Sequence, residues 1–134
     1  MKRKWKAILV IELLVVVAGV FTVKGMLAHV EANLVALKSA AIAPIDLAAL
    51  EDGTYFGRYS VFPVSAEVNV TVKDHMIAEI ELVKHTHGQG TPAEVVPGKV
   101  IEAQSLRVDS VSGATYSSMI ILKAIENALL AAGQ

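Results

Sequence analysis

The chain is 134 residues long, balances 12 Lys/Arg against 13 Asp/Glu for a formal charge of −1, and contains no cysteine. The missing thiols exclude a lipid-modified cysteine anchor, disulfides, iron–sulfur ligation and thiol chemistry. The near-neutral balance gives no support to nucleic-acid binding.

The amino terminus reads Met-Lys-Arg-Lys-Trp-Lys, and Ala7 to Val23 is then apolar apart from Glu12, Gly19 and Thr22. As a helix this stretch is roughly 25 Å long, slightly short of a hydrocarbon core of about 30 Å. Extension to Leu27, with Lys24 snorkelling, closes the gap. Four basic residues precede the run, which orients the amino terminus to the cytoplasm. After residue 24, 7 Lys/Arg face 12 Asp/Glu, and this asymmetry places the acidic remainder on the extracytoplasmic side. The apolar run is longer than a signal-peptide core, and the nearest cleavage candidate, Val30-Glu31-Ala32, comes late. Residues 1–25 are therefore expected to be an uncleaved, single-pass membrane anchor. Glu12 lies inside the span, where a carboxylate is costly. It either contacts another membrane subunit or sits protonated or snorkelled near the interface.

Residues 26–49 are expected to be a helical stalk or linker. Leu27, Val30, Leu34, Leu37 and Ala41 recur at alternating three–four spacing opposite His29, Glu31, Asn33 and Lys38. That stripe suits the chain's own domain, the membrane surface or a partner, with self-packing the safer expectation. The helix is predicted to reach residue 43, where Pro44 stops it, and Asp46 caps the Leu-Ala-Ala-Leu turn that follows.

Residues 50–134 suffice for one small core. Asp52-Gly53 is a turn signal, and Thr54 to Phe62 reads as a strand bearing Tyr55, Phe56, Tyr59 and Phe62. Ala66, Val68, Val70 and Val72 alternate with Glu67, Asn69, Thr71 and Lys73, the mark of a half-buried strand. Asp74-His75 occupies a hairpin turn. Met76 to His85 returns, with Ala78, Ile80 and Leu82 expected inward against Glu79 and Glu81. A loop with two glycines leads to a helix near Pro97–Ser105, and a last helix runs from about Tyr116 to Ala132, its apolar face including Ile121, Leu122, Ile125 and Leu129. The fold class is α+β: a transmembrane helix and helical stalk followed by a small antiparallel sheet with helices packed on one side.

The most informative stretch is Asp109-Ser-Val-Ser-Gly-Ala-Thr115, followed by Tyr116-Ser117-Ser118. It sets small residues and hydroxyls at the mouth of a helix, where unpartnered N–H groups and the macrodipole favour an anion. Gly113 and Ala114 let a phosphate ester approach the backbone closely. The plain alternative is an N-cap and nothing more.

The string Asp-x-x-Ser-Gly-Ala-Thr resembles the flavinylation motif of the FMN-binding domain family, which includes the FMN-carrying subunits of sodium-translocating NADH:quinone reductases and of Rnf complexes. The resemblance covers roughly Asp52 to Leu130 and is supported by Glu102-Ala103-Gln104-Ser105 ahead of the motif. It implies that Thr115 carries FMN through a phosphoester bond installed by a separate flavin transferase that uses FAD. Asp109, Ser112, Gly113, Ala114, Tyr116, Ser117 and Ser118 are the surrounding cofactor-binding positions. Asp109 would help hold a metal ion or polarise the Thr115 hydroxyl during transfer, or else cap turn N–H groups. A phosphoester tether keeps the cofactor at high effective concentration without altering its ring.

Lys84-His85-Thr86-His87-Gly88-Gln89-Gly90 is the second place where chemistry can reside. Two imidazoles fall short of the ligands that a stable zinc site needs, so no metal is expected. The loop resembles the one that larger family members place near the isoalloxazine, without their Glu-Thr-Pro-Gly pattern. On that likeness His85, His87 and Gly88 line the ring pocket, a histidine serving as hydrogen-bond partner or proton source. The alternative is an exposed polar turn. Ring-stacking aromatics would come from Tyr55, Tyr59, Phe56 or Tyr116. No nucleophile–base pair or carboxylate pair argues for hydrolysis.

The expected function is that of a membrane-anchored electron-transfer flavoprotein on the extracytoplasmic face, a redox carrier in preference to a stand-alone enzyme. Its expected partners are the flavin transferase and redox proteins in or at the membrane. Two rival readings are an accessory subunit of a larger membrane oxidoreductase and a module that binds FMN reversibly.

Overall fold

The computed structural model describes all 134 residues, which divide into two units, Met1–Val35 and Ala36–Gln134. The first unit is entirely helical and belongs to α1 (Lys2–Ser39). Its apolar side chains, among them Leu9, Leu13, Val16 and Phe21, are solvent-exposed. The helix is long and apolar enough to cross a membrane. Thr22 Oγ1 donates to Ala18 O at 2.8 Å, satisfying the hydroxyl within the helix. No break separates the apolar run from the amphipathic stretch beyond residue 25.

Helix α1 ends at Ser39, earlier than the expected residue 43. Tertiary hydrogen bonds win there. Ala43 N donates to Glu126 Oε1 at 2.6 Å, and Lys123 Nζ donates to Ala41 O at 3.1 Å, so these backbone groups are satisfied outside the helix. Pro44 also disfavours helical backbone at Ala43. Glu126 is buried, and Lys123 Nζ stands 2.7 Å from its Oε2. Glu126→Ala would leave the Ala43 N–H without its acceptor and a mostly buried Lys123 ammonium without its counter-charge. It is expected to cost about 3 kcal/mol, read as a lower urea midpoint with an unchanged slope. Beyond this clip, Asp46 accepts from Ala48 N at 3.0 Å and caps the single 3₁₀ turn Leu47–Ala49, as its spacing suggests.

Three strands follow as an antiparallel meander in the order β1–β2–β3: β1 (Gly53–Val61), β2 (Val64–Lys73) and β3 (Met76–Thr86). Strand β2 is central, and its strict alternation buries Val64, Ala66, Val68, Val70 and Val72. Asp74 and His75 both take positive φ, 51° and 60°, the backbone of a tight two-residue hairpin. Asp52 Oδ1 accepts from Asp74 N and braces that turn.

Strand β3 departs from the expected pattern. Ile77 is buried, whereas Ala78 is exposed. The register passes from Thr71↔Glu79 to Val72↔Ile77, so Ala78 is the extra residue of a β-bulge and the inward phase slips by one. A second irregularity, between Glu67↔Lys84 and Val68↔Leu82, leaves Val83 exposed.

One face of the sheet is covered by α2 (Val96–Ala103) and α3 (Thr115–Ala132). Helix α3 buries Ile121, Leu122, Ile125 and Leu129 as expected, together with Ile120 and Ala128. A 3₁₀ segment, Thr91–Val95, leads into α2. Gln104 ends that helix in the left-handed region with φ of 49°. Its side chain accepts from Ile77 N at 2.8 Å and donates to Ile77 O at 2.9 Å, pairing with β3 as a neighbouring strand would. The architecture is α+β, with an antiparallel sheet and its helices on one side.

Candidate functional site

The start of α3 is built by the turn before it. Gly113 has φ of 79°, a conformation that a side chain would strain. Ala114 is the N-cap residue, and no side chain caps the helix. The plain alternative, a hydroxyl N-cap and nothing more, is therefore not what the helix start uses. Ser118, fully buried, does the holding from behind: its Oγ accepts from Val111 N at 3.0 Å and donates to Ala114 O at 2.8 Å. With the turn fixed from the protein side, Ser112 and Gly113 are exposed and Thr115 is half-buried as the first helical residue. Asp109 lies exposed on the segment leading in. Tyr116 is half-buried, and its hydroxyl donates to Phe62 O at 2.9 Å, which ties α3 to the β1–β2 turn.

The histidine loop arrives at the same helical turn. His85, near the end of β3, is enclosed, its side chain only 2% exposed. One ring nitrogen, Nε2, lies 3.0 Å from Ser117 Oγ; the other, Nδ1, lies 3.1 Å from Glu94 Oε1. His87 stacks beside it with ring centroids 4.2 Å apart, and its Nε2 lies 3.6 Å from the same Glu94 oxygen. Gly90 N donates to His87 Nδ1 at 3.0 Å. Gly88 is exposed at the apex of the loop.

These contacts assign the protons. A nitrogen that accepts from Gly90 N is unprotonated, so His87 Nδ1 carries no proton, and its Nε2 faces Glu94 across 3.6 Å, a charge contact longer than a hydrogen bond. His85 presents Nδ1 to the same carboxylate, and a carboxylate accepts, while Nε2 pairs with the Ser117 hydroxyl. His85, His87 and Glu94 also bring three potential ligand atoms within 4.8 Å of one another. Glu94 thus adds a third ligand-type atom to the two imidazoles counted from the sequence, and Gly90 N–H holds His87 so that its Nε2 faces that carboxylate.

Two regions that the sequence presents separately are thus joined at Ser117. Glu94 and Gly90 complete the junction, and the sequence reading did not single them out. The available signal for Glu94 was weak: an acidic residue in Thr91-Pro-Ala-Glu94, at the entry to a short apolar helix. Of the aromatic candidates, Phe56 is on the sheet face opposite α3 and 56% exposed. Tyr55 and Tyr59 pack at the core margin, and the Tyr55 hydroxyl donates to Glu51 O.

Chemically, the uncapped start of an 18-residue helix, opened by Gly113 and Ala114, fits a phosphate ester at Thr115. The family model for the FMN-binding domain matches residues 63–130, just over half of the chain and inclusive of both regions. NADH:acrylate oxidoreductase from Vibrio harveyi is 36% identical over 69 residues, which make up 49% of this chain and 7% of that protein. The chain therefore spans only a small fraction of the length of that curated relative.

Proposed function

The chain belongs to the FMN-binding domain family, and from that premise we propose that it is a membrane-anchored electron-transfer flavoprotein carrying FMN as a phosphoester on Thr115. The observation that carries the reading is the geometry of Gly113, Ala114 and Thr115: a helix start without a side-chain cap, held from behind by Ser118, with a hydroxyl as its first helical residue. Bound FMN supplies one- and two-electron redox chemistry. The residues around it supply placement. Thr115 offers the attachment oxygen, the first turn of α3 favours the phosphate, and the loop bearing His87 and Gly88 lines the ring. A separate flavin transferase makes the bond.

The charge asymmetry about the span supports an extracytoplasmic location for residues after α1. An electron relay there exchanges electrons with redox proteins in or at the membrane. The similarity to NADH:acrylate oxidoreductase supports a redox role, and this chain's donor and acceptor are matters for experiment. Glu12, exposed within the apolar run, favours a second reading in which the chain is an accessory subunit of a larger membrane oxidoreductase. Purification in mild detergent would then bring down other integral membrane proteins, whereas a monomer with stoichiometric FMN would exclude that subunit role. The primary test is intact-protein mass spectrometry of material from its native membrane. An FMN adduct localised to the Thr115 peptide is expected, and a bare Thr115 hydroxyl overturns the reading.

A further inference from the structure

The contacts among Glu94, His85 and Ser117 do more than fill space. We propose that they form a positioning relay, which locks the loop Thr86–Gln89 to the first turn of α3 and thereby fixes the surroundings of an FMN carried on Thr115. The inference rests on the reading above for its flavin half; its structural half stands alone.

Three segments meet here. Strand β3 contributes His85, the 3₁₀ segment contributes Glu94, and α3 contributes Ser117, buried and two residues beyond Thr115. The bonds form a chain: the Ser117 hydroxyl pairs with His85 Nε2, and His85 Nδ1 pairs with Glu94, over 3.0 and 3.1 Å. Glu94 also faces His87 Nε2 across 3.6 Å, and Gly90 N–H closes the loop on His87 Nδ1. Gly90 presses directly on the relay, because a Cβ there would overlap Ser117 Oγ. The loop is consequently pinned at both ends, by His85 before it and Gly90 after it, to a residue on the turn that begins with Thr115. Thr86, Gly88 and Gln89 are exposed between these pins. A loop so held is fixed against the helix turn that begins with Thr115, and would be a fixed neighbour for a flavin carried there.

His85 touches neither the attachment oxygen nor solvent to any extent. Its part is to position, with Ser117 as the contact it works through. Both of its nitrogens are committed, so it does not offer a donor to the ring. Buried networks of this kind are costly when half-satisfied, which makes single deletions informative.

The test separates the two bonds. His85→Asn keeps a polar group near Nδ1, toward Glu94, and loses Ser117; His85→Gln keeps one near Nε2, toward Ser117. Ser117→Ala removes the helix side. In full-length protein carrying Thr115→Val, and hence free of tethered flavin, amide exchange of residues 86–90 is expected to rise about tenfold for His85→Asn and Ser117→Ala, and by a smaller factor for His85→Gln, which gives up only the Glu94 bond. In flavinylated full-length protein, iodide quenching of FMN fluorescence, normalised to bound FMN, should rise roughly twofold in the same two variants, with a shifted flavin midpoint potential. Unchanged exchange in both overturns the relay. Changed exchange with unchanged quenching and potential overturns its flavin role. Bare Thr115 in the wild type overturns the functional reading alone, since the exchange arm still decides the loop lock. Stoichiometric Zn²⁺ uptake lost in His87→Ala would overturn the relay in favour of a metal centre. If Ser117→Ala melts globally, His85→Gln against His85→Asn still decides.

Discussion

Thr115→Val, produced with a flavin transferase, is expected to run as a dark band on a denaturing gel where the wild type fluoresces, and to lack the FMN mass increment. The substitution is nearly isosteric and occupies a half-buried first helical position, so the fold should change by no more than about 0.5 kcal/mol. Thr115→Ser should retain the adduct, because it retains the hydroxyl. The neighbouring hydroxyls are poor substitutes. Ser118 is committed to Val111 N and Ala114 O, and Ser117 is buried on His85. Ser112 is exposed on the preceding turn and lacks the helix-start position. A fluorescent Thr115→Val band would therefore move the tether, with Ser112 the first hydroxyl to examine.

The second large effect concerns how α3 is held against the sheet. Gly57→Ala should destabilise the Ala36–Gln134 unit by about 3 kcal/mol and lower its Tm by roughly 10–20 °C in differential scanning calorimetry. A Cβ at Gly57 would overlap Ala124 O and come within 2.7 Å of Ala128 N, both of them backbone atoms of α3. Neither can rotate aside, so helix and strand would have to separate over the buried row of β2 valines. Gly98→Ala is the contrast. Its Cβ would meet nothing within 4 Å in the interior of α2, and it should stabilise by about 0.5 kcal/mol. Equal effects from the two substitutions would rule out close packing at Gly57 as the cause.

Much of the fold could be read from residue order because local pattern and tertiary fold agree. The valines of β2 alternate for the whole strand, and Ile121, Leu122, Ile125 and Leu129 recur at the spacing that α3 buries. The misreadings have local causes. Ala78 is the extra residue of a bulge, and nothing in Met76–Glu81 signals a slipped register when Ala and Ile both alternate plausibly with glutamates. The end of α1 was misplaced because the residues that satisfy Ala41 O and Ala43 N are Lys123 and Glu126, more than 80 positions away. The helix-start motif was legible as a unit because its parts are contiguous. The relay was not, because Glu94, His85 and Ser117 come from three segments and meet only through folding.

Helix α3 carries Thr115 at its first position and, two to three turns on, the Lys123–Glu126 pair that grips Ala41 and Ala43. One rigid rod thus bears both the proposed attachment residue and the mooring of the incoming chain. At 1.5 Å per residue the two are offset by about 12–16 Å along its axis. Electron tunnelling falls steeply with distance, so a fixed offset on a stiff element gives any redox centre hung from Thr115 a defined stand-off from that mooring. Lengthening the chain before Ala41 would lengthen the leash and leave that stand-off unaltered.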